Sequence, residues 1–174
     1  EDGKREFEGG VITKIVQGNY NCLYIGSVKE GVSELNLTSG QVRNLLAIDE
    51  SGESIFCRDL LPYSDNELWI GTESGIYIYN LRTAQFIHLR ASLYDSYSLS
   101  DNAIYALYKD REEGLWIGSY FGGVDYYPRQ YTYFAKYYPK NIANSLHGKR
   151  VREFCRADDG TLWIGTEDGG LNHF

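Results

Sequence analysis

One pentapeptide is written four times in this chain: Leu-Trp-Ile-Gly-Thr at residues 68–72 and 162–166, Leu-Trp-Ile-Gly-Ser at 115–119 and Leu-Tyr-Ile-Gly-Ser at 23–27. Its glycines, Gly26, Gly71, Gly118 and Gly165, lie 45, 47 and 47 residues apart. Fifteen residues ending on each glycine align without a gap, starting at Ile12, Cys57, Ile104 and Val151. A repeat of fixed period constrains the fold more than composition does. Every copy must take the same local structure and bury its apolar face on another copy.

Each copy has the same internal order. A short, largely apolar run comes first, as at residues 104–108, followed by a polar turn such as Lys-Asp-Arg-Glu-Glu-Gly at 109–114 or Arg-Ala-Asp-Asp-Gly-Thr at 156–161. Asp and Gly in such turns supply the backbone conformations a hairpin needs. The Leu-Trp-Ile-Gly run is next, then a small or Gly-bearing loop (Thr-Glu-Ser-Gly, Ser-Tyr-Phe-Gly-Gly or Thr-Glu-Asp-Gly-Gly). A third, alternating run starts at Ile76, Val124 and Leu171, and a fourth at Gln85 and Tyr131. With 16 Tyr, 7 Phe and 19 Gly but 3 Pro, and no stretch with a 3.6-residue period, the chain reads as strands and turns.

Four short strands per unit at a period in the mid-forties predict an all-β fold, a β-propeller of about four four-stranded antiparallel blades. The units fall at about residues 11–54, 55–102, 103–149 and 150–174. The last unit stops after its third strand, and residues 2–9 align with the fourth-strand segment from Ser39. They are therefore expected to serve as an outer strand closing the last unit, which would remove an exposed edge. Four blades close alone only at steep angles between blades. The expectation is a segment of a larger, seven- or eight-bladed ring, or two chains paired into one.

Residues 98–128, from Ser-Leu-Ser-Asp-Asn through Asp-Arg-Glu-Glu-Gly-Leu-Trp-Ile-Gly to Phe-Gly-Gly-Val-Asp-Tyr-Tyr-Pro, resemble the regulator-propeller repeat of hybrid two-component sensors. The copy from Ser145 keeps Ser-Leu, departs to His-Gly-Lys-Arg, and returns to the pattern at Asp-Asp-Gly-Thr-Leu-Trp-Ile-Gly-Thr. The copy around Leu23 has Tyr24 in place of Trp and lacks the double glycine, and the copy around Leu68 has the single Gly75. The resemblance implies a periplasmic sensor region of an inner-membrane protein, with a membrane helix, a histidine kinase, a receiver and a DNA-binding domain elsewhere in the parent. It also implies detection of oligosaccharides that control genes for polysaccharide use. The segment itself carries no kinase motif.

The net charge of −7, without a Lys/Arg cluster beyond two or three residues, argues against a nucleic-acid footprint. Cys22, Cys57 and Cys155 lack metal-ligand spacing and read as small buried residues. His88, His147 and His173 fall in different units, so no metal site and no cofactor are expected. No apolar run reaches the roughly 18 residues of a membrane span. Glu73, Asp125, Glu167 and Asp168 are the acidic residues a glycosidase would recruit, yet Glu73 and Glu167 occupy equivalent loop positions, which suits a repeat feature better than a unique catalytic pair. Asp158-Asp159-Gly160 reads as a structural turn. The segment is expected to be non-enzymatic.

Trp69, Trp116 and Trp163 share one repeat position with Tyr24, inside a strand between Leu and Ile, and are expected to pack between blades. The following Gly26, Gly71, Gly118 and Gly165 are expected to permit close backbone approach. Ligand candidates come instead from places where the units differ. Tyr120 and Phe121 interrupt the small, acidic loop of their siblings. Arg90, Tyr94 and Tyr97 lie on one long connection to the next unit, Lys149 and Arg150 on another. Exposed aromatics stack on sugar rings while cations bond the hydroxyls. The expected partners are an oligosaccharide, and either the remaining blades of a parent ring or a second copy in a homo-oligomer. The alternative is a protein-interaction scaffold with no ligand site of its own.

Overall fold

Hydrophobic alternation sets the strands, and the turns between them set the order. The computed structural model describes residues 10–95, 97–129, 137, 139 and 145–174. The outer strand expected at residues 2–9 and the fourth-strand run from Tyr131 lie outside the described residues. The chain divides into two compact units, residues 1–130 and 131–174.

The first unit holds three antiparallel meanders. One is β1 (Ile12–Gln17), β2 (Cys22–Ser27), β3 (Val32–Asn36) and β4 (Val42–Leu46), hydrogen-bonded in chain order. The next is β5 (Cys57–Ser64), β6 (Glu67–Thr72), β7 (Gly75–Asn80) and β8 (Phe86–Leu89), again in order. The last is β9 (Ile104–Lys109), β10 (Leu115–Ser119) and β11 (Val124–Tyr127). The second unit holds β12 (Val151–Arg156), β13 (Leu162–Thr166) and β14 (Gly170–His173) in the same arrangement. Consecutive strands paired antiparallel, with the Trp-bearing strand always second, make each sheet a propeller blade.

Register shows that the repeat is kept residue by residue. The rungs across the Trp position are Val16–Tyr24–Glu34, Leu61–Trp69–Ile78, Tyr108–Trp116–Tyr126 and Cys155–Trp163–His173. Paired residues of a ladder share a face, so one face of each blade carries the Trp or Tyr. In the first blade that face packs Tyr24, Val32 and Leu46 against Leu60, Leu68, Ile70 and Tyr77 of the second. In the second it packs Trp69 and Ile76 against Ile104, Leu107, Leu115 and Ile117 of the third. Trp69 also lies 5.8 Å from Tyr63 and 5.4 Å from Tyr127, ring centre to ring centre, in tilted geometry.

The glycines follow the same logic. A Cβ on Gly26 would collide with Cys57 Sγ, and one on Gly71 would lie 2.9 Å from Ile104 Cγ2. The first strand of the following blade thus runs directly over these glycines. At Gly118 and Gly165 the nearest atoms belong to their own strand partners, at 3.5 Å (Ala106 Cβ) and 3.7 Å (Glu153 O), so close approach does not explain those two.

Two expectations need correction. Trp69 is 2% exposed, but Trp116 is 45% and Trp163 37% exposed. The strand alone does not bury this residue; a following blade does, and within each unit no described sheet covers Trp116 or Trp163. Trp116 instead donates its Nε1–H to Asp110 Oδ2 at 2.9 Å, and Trp163 stacks on His173 at 4.3 Å. Likewise Cys22 and Cys57 are buried, whereas Cys155, on the same rung as Trp163, is exposed.

Candidate functional site

Between the paired ends of the first and second strands of each blade sits one repeat position that decides the local chemistry. Cys57 pairs with Thr72, Ile104 with Ser119 and Val151 with Thr166, and the residue after each first partner (Arg58, Tyr105 or Arg152) is a bulge skipped by the ladder, whose side chain meets residue 73, 120 or 167; the equivalents in the first blade are Thr13 and Val28. Two of these are ion pairs: Arg58 with Glu73, and Arg152 with Glu167 at 2.7 Å. In the third blade both members are tyrosine. Tyr105 and Tyr120 stack with centroids 5.1 Å apart and planes 23° off parallel.

That exchange leaves an aromatic platform on the first unit. Phe121 meets Tyr120 edge-on at 4.4 Å. The Arg58 guanidinium lies 4.5 Å over the Tyr105 ring and 4.0 Å over Phe56, within cation–π range. Tyr120 is 59% exposed and Phe121 87%. Large apolar rings held in water at a loop tip cost hydration free energy that a purely structural loop avoids.

The loop is fixed from below. Tyr120 N–H donates to Ala103 O at 2.9 Å, Phe121 N–H to Asp101 Oδ2 at 3.0 Å, and Ser119 N–H to Gly123 O at 3.0 Å. The Asp125 carboxylate accepts the Ser100 N–H at 2.9 Å and the Ser100 hydroxyl at 2.5 Å. Gly123 has a φ of +81°, and a Cβ on Gly122 would lie 2.8 Å from Ser100. The double glycine therefore lets the loop fold down onto residues 100–103 while Tyr120 and Phe121 stay exposed.

The other sequence candidates separate. Tyr94 and Tyr97 are exposed on the connection after β8, and Arg90 Nε donates to His88 Nε2 at 3.3 Å; His88 is also in contact with Glu50 at 3.2 Å. Lys149 and Arg150 belong to the second unit, where their backbone N–H groups donate to Asp168 Oδ1 at 2.9 and 3.2 Å. The Arg150 guanidinium lies 4.0 Å from Glu167. Of the four acidic residues a glycosidase might use, Glu73 and Glu167 are occupied by arginines, Asp125 by Ser100 and Asp168 by the amides just named. Asp159 accepts the N–H and hydroxyl of Thr161 at 3.0 and 2.7 Å, with Gly160 at φ +91°, which is a turn. Among the described residues no group of three or more His, Cys, Asp or Glu is arranged to hold a metal ion.

The meander, its period and the interlocking of successive faces define the class as β-propeller. Residues 98–121 and 145–168 match the family described as the two component regulator propeller. Similar solved structures include the extracellular domains of two putative hybrid two component systems from B. thetaiotaomicron. BT3049 is 24% identical with a TM-score of 0.51, over 92% of this chain and 26% of that one. BT4673 is 21% identical with a TM-score of 0.59, over 94% and 21%. The computationally designed Ika4 protein is 16% identical with a TM-score of 0.51, over 98% of this chain and 94% of its own. The chain thus spans about a quarter of the length of the two sensor domains, and these likenesses concern the fold. No curated protein matches it.

Sequence reasoning singled out Tyr120 and Phe121, and the structure sets Tyr105, Arg58 and Asp101 beside them. Asp101 is the anchor that pH can release. The Phe121 N–H, with the amides of Ala103, Asn102 and Gly122, holds its carboxyl below the ordinary carboxylate value. A lowered folded-state pKa means that the anchoring is complete above that ordinary value and is lost as pH falls through the lower one. In NMR titrations the Phe121 amide should shift with the Asp101 carboxyl, at a midpoint below that of free aspartate. Asp101→Asn should abolish that titration; a Phe121 amide indifferent to acid would refute the anchor.

Proposed function

We propose that the chain is the ligand-sensing part of an extracytoplasmic region of a two-component sensor, and that its ligand is an oligosaccharide bound on the Tyr105–Tyr120–Phe121 platform beside Arg58. The carrying observation is that a repeat position held by an Arg–Glu pair in the second and fourth blades holds stacked tyrosines in the third, on a loop clamped from beneath. An ion pair at that position ties two strands together. Two exposed rings do so with less polar compensation and offer flat faces of the size of a pyranose. Neighbouring Arg58 supplies donors to ring hydroxyls. Since the clamp fixes the rings before binding, little ordering cost remains. The regulator-propeller match and the sensor domains of similar fold support the signalling half of the reading, with a parent anchored in the inner membrane and a histidine kinase as its output.

Titration calorimetry of the chain against an oligosaccharide panel tests it. Tyr120→Ala and Phe121→Ala should each weaken binding about tenfold. No heat from any sugar would count against the ligand assignment.

A second reading has its own observation. The outer face of the third blade is a row of exposed rings, Tyr108, Trp116 and Tyr126. It is the face that in the two preceding blades is covered by a further sheet. This favours an interaction scaffold that joins the remaining blades of a ring or a second copy of the chain. A scattering mass of one chain, unchanged with concentration, would remove the second copy.

A further inference from the structure

A second groove lies at the opposite end of the sheets, where the hairpins joining first to second and third to fourth strands emerge. It runs between the first and second blades of the first unit and encloses about 510 Å³. We infer that this groove is a separate binding site for a neutral sugar, capped by Tyr20. It does not rest on the aromatic platform, and either site stands or falls alone.

Tyr20 carries the inference. Tyr20 and Asn21 lie at the end of the four-residue connection Gly18–Asn21 between β1 and β2, with φ of +56° and +58°. That conformation suits Asn and Gly and is strained for a large side chain. The equivalent turn of the next blade has Asp65 and Asn66 in that place. Tyr20 is 88% exposed, at the mouth of the groove. A residue in a strained backbone conformation whose ring is left almost wholly to solvent contributes little to the core and is placed to act outward.

The groove beneath has the chemistry of a polyhydroxylated, uncharged ligand. Its charges balance: Arg43 lies 3.3 Å from Glu34, and Arg82 offers a second cation against Asp65. Asn19 Nδ2 donates to Asp65 Oδ1 at 2.7 Å, tying the two hairpins across the groove. Asp65 keeps acceptor capacity for a hydroxyl pair, while Asn66 and Arg82 at the rim bring donors. The floor is Tyr24 and Cys22, whose hydroxyl and thiol burial holds in the neutral form at ordinary pH. A cation would meet two arginines and an anion two carboxylates. A sugar meets paired donors and acceptors below and an aromatic ring above.

NMR titration of the chain with cellobiose, xylobiose, maltose and mannobiose, with digalacturonate and Ca²⁺ as charged probes, decides it. At least one neutral disaccharide should bind saturably and shift the Tyr20 and Asp65 amides. Tyr20→Gly should weaken that binding about tenfold or more while raising the thermal midpoint, because glycine accepts the positive φ. Asp65→Asn should weaken binding without that gain. Tyr120→Ala should leave these shifts unchanged. The inference is overturned if no neutral disaccharide binds up to about 10 mM, if a charged probe binds there instead, or if Tyr20→Gly stabilises the fold and leaves binding intact. Binding that Tyr120→Ala abolishes and Tyr20→Gly spares would overturn this site and support the platform.

Discussion

Replacing Trp69 by alanine should lower the stability of the first unit by about 3–5 kcal/mol, the range for truncating a fully buried large aromatic. The same change at Trp116 should cost no more than about 1–2 kcal/mol, because a half-exposed side chain leaves a smaller void and loses less burial. Trp69 sits in the seam between the second and third blades, with Tyr63 on one side and Tyr127 on the other, and closes over Ile76, Leu107 and Leu115. Trp116 faces Tyr126 at 4.8 Å within its own sheet, donates to Asp110 and is otherwise about half exposed. Urea midpoints of the two variants measure the difference. Equal losses would mean that the outer face of the third blade is covered in solution, and a scattering mass would then show whether a second copy covers it. The prediction thus uses one motif as a probe of which blades have neighbours.

That contrast also marks what the sequence can convey. Strand order, the second-strand position of Leu-Trp-Ile-Gly and the sheet register follow from alternation and turn residues, which are local. The fate of each tryptophan is not local, since identical pentapeptides are buried or exposed according to what packs on them. Tyr120 and Phe121 stood out because they break a loop pattern. Tyr105 and Arg58 did not, although comparing positions 58, 105 and 152 with 73, 120 and 167 would have shown Arg–Glu, Tyr–Tyr and Arg–Glu side by side. The missing step was knowing that residues 58, 105 and 152 bulge out of the ladder toward the end of the second strand, which requires the register. Nothing in the sequence pattern singles out Tyr20. Only the positive φ of the backbone shows that tyrosine is an odd choice there.

Asp59 was missed for a related reason, and its removal should have the second large effect. It occupies the column shared with Lys14, Ala106 and Glu153, where no residue type repeats. The carboxylate is nearly buried and joins three blades. Lys14 Nζ lies 2.7 Å from Oδ1, Leu107 N–H donates to Oδ2 at 2.8 Å, and Leu60 N–H donates to Oδ1 at 2.9 Å. Asp59→Ala deprives a buried N–H of its acceptor as well as breaking the ion pair, and should cost about 2–4 kcal/mol. Lys14→Met should cost about 1 kcal/mol or less, since the lysine is half-exposed and water screens the pair. Asp59→Asn separates the two contributions, because an amide oxygen still accepts the Leu107 N–H but carries no charge. It should fall closer to wild type than to Asp59→Ala. If Asp59→Asn unfolds at the same urea concentration as Asp59→Ala while Lys14→Met is equally damaging, the contribution of Asp59 lies in its ion pair with the first blade and not in its acceptor bond to the third.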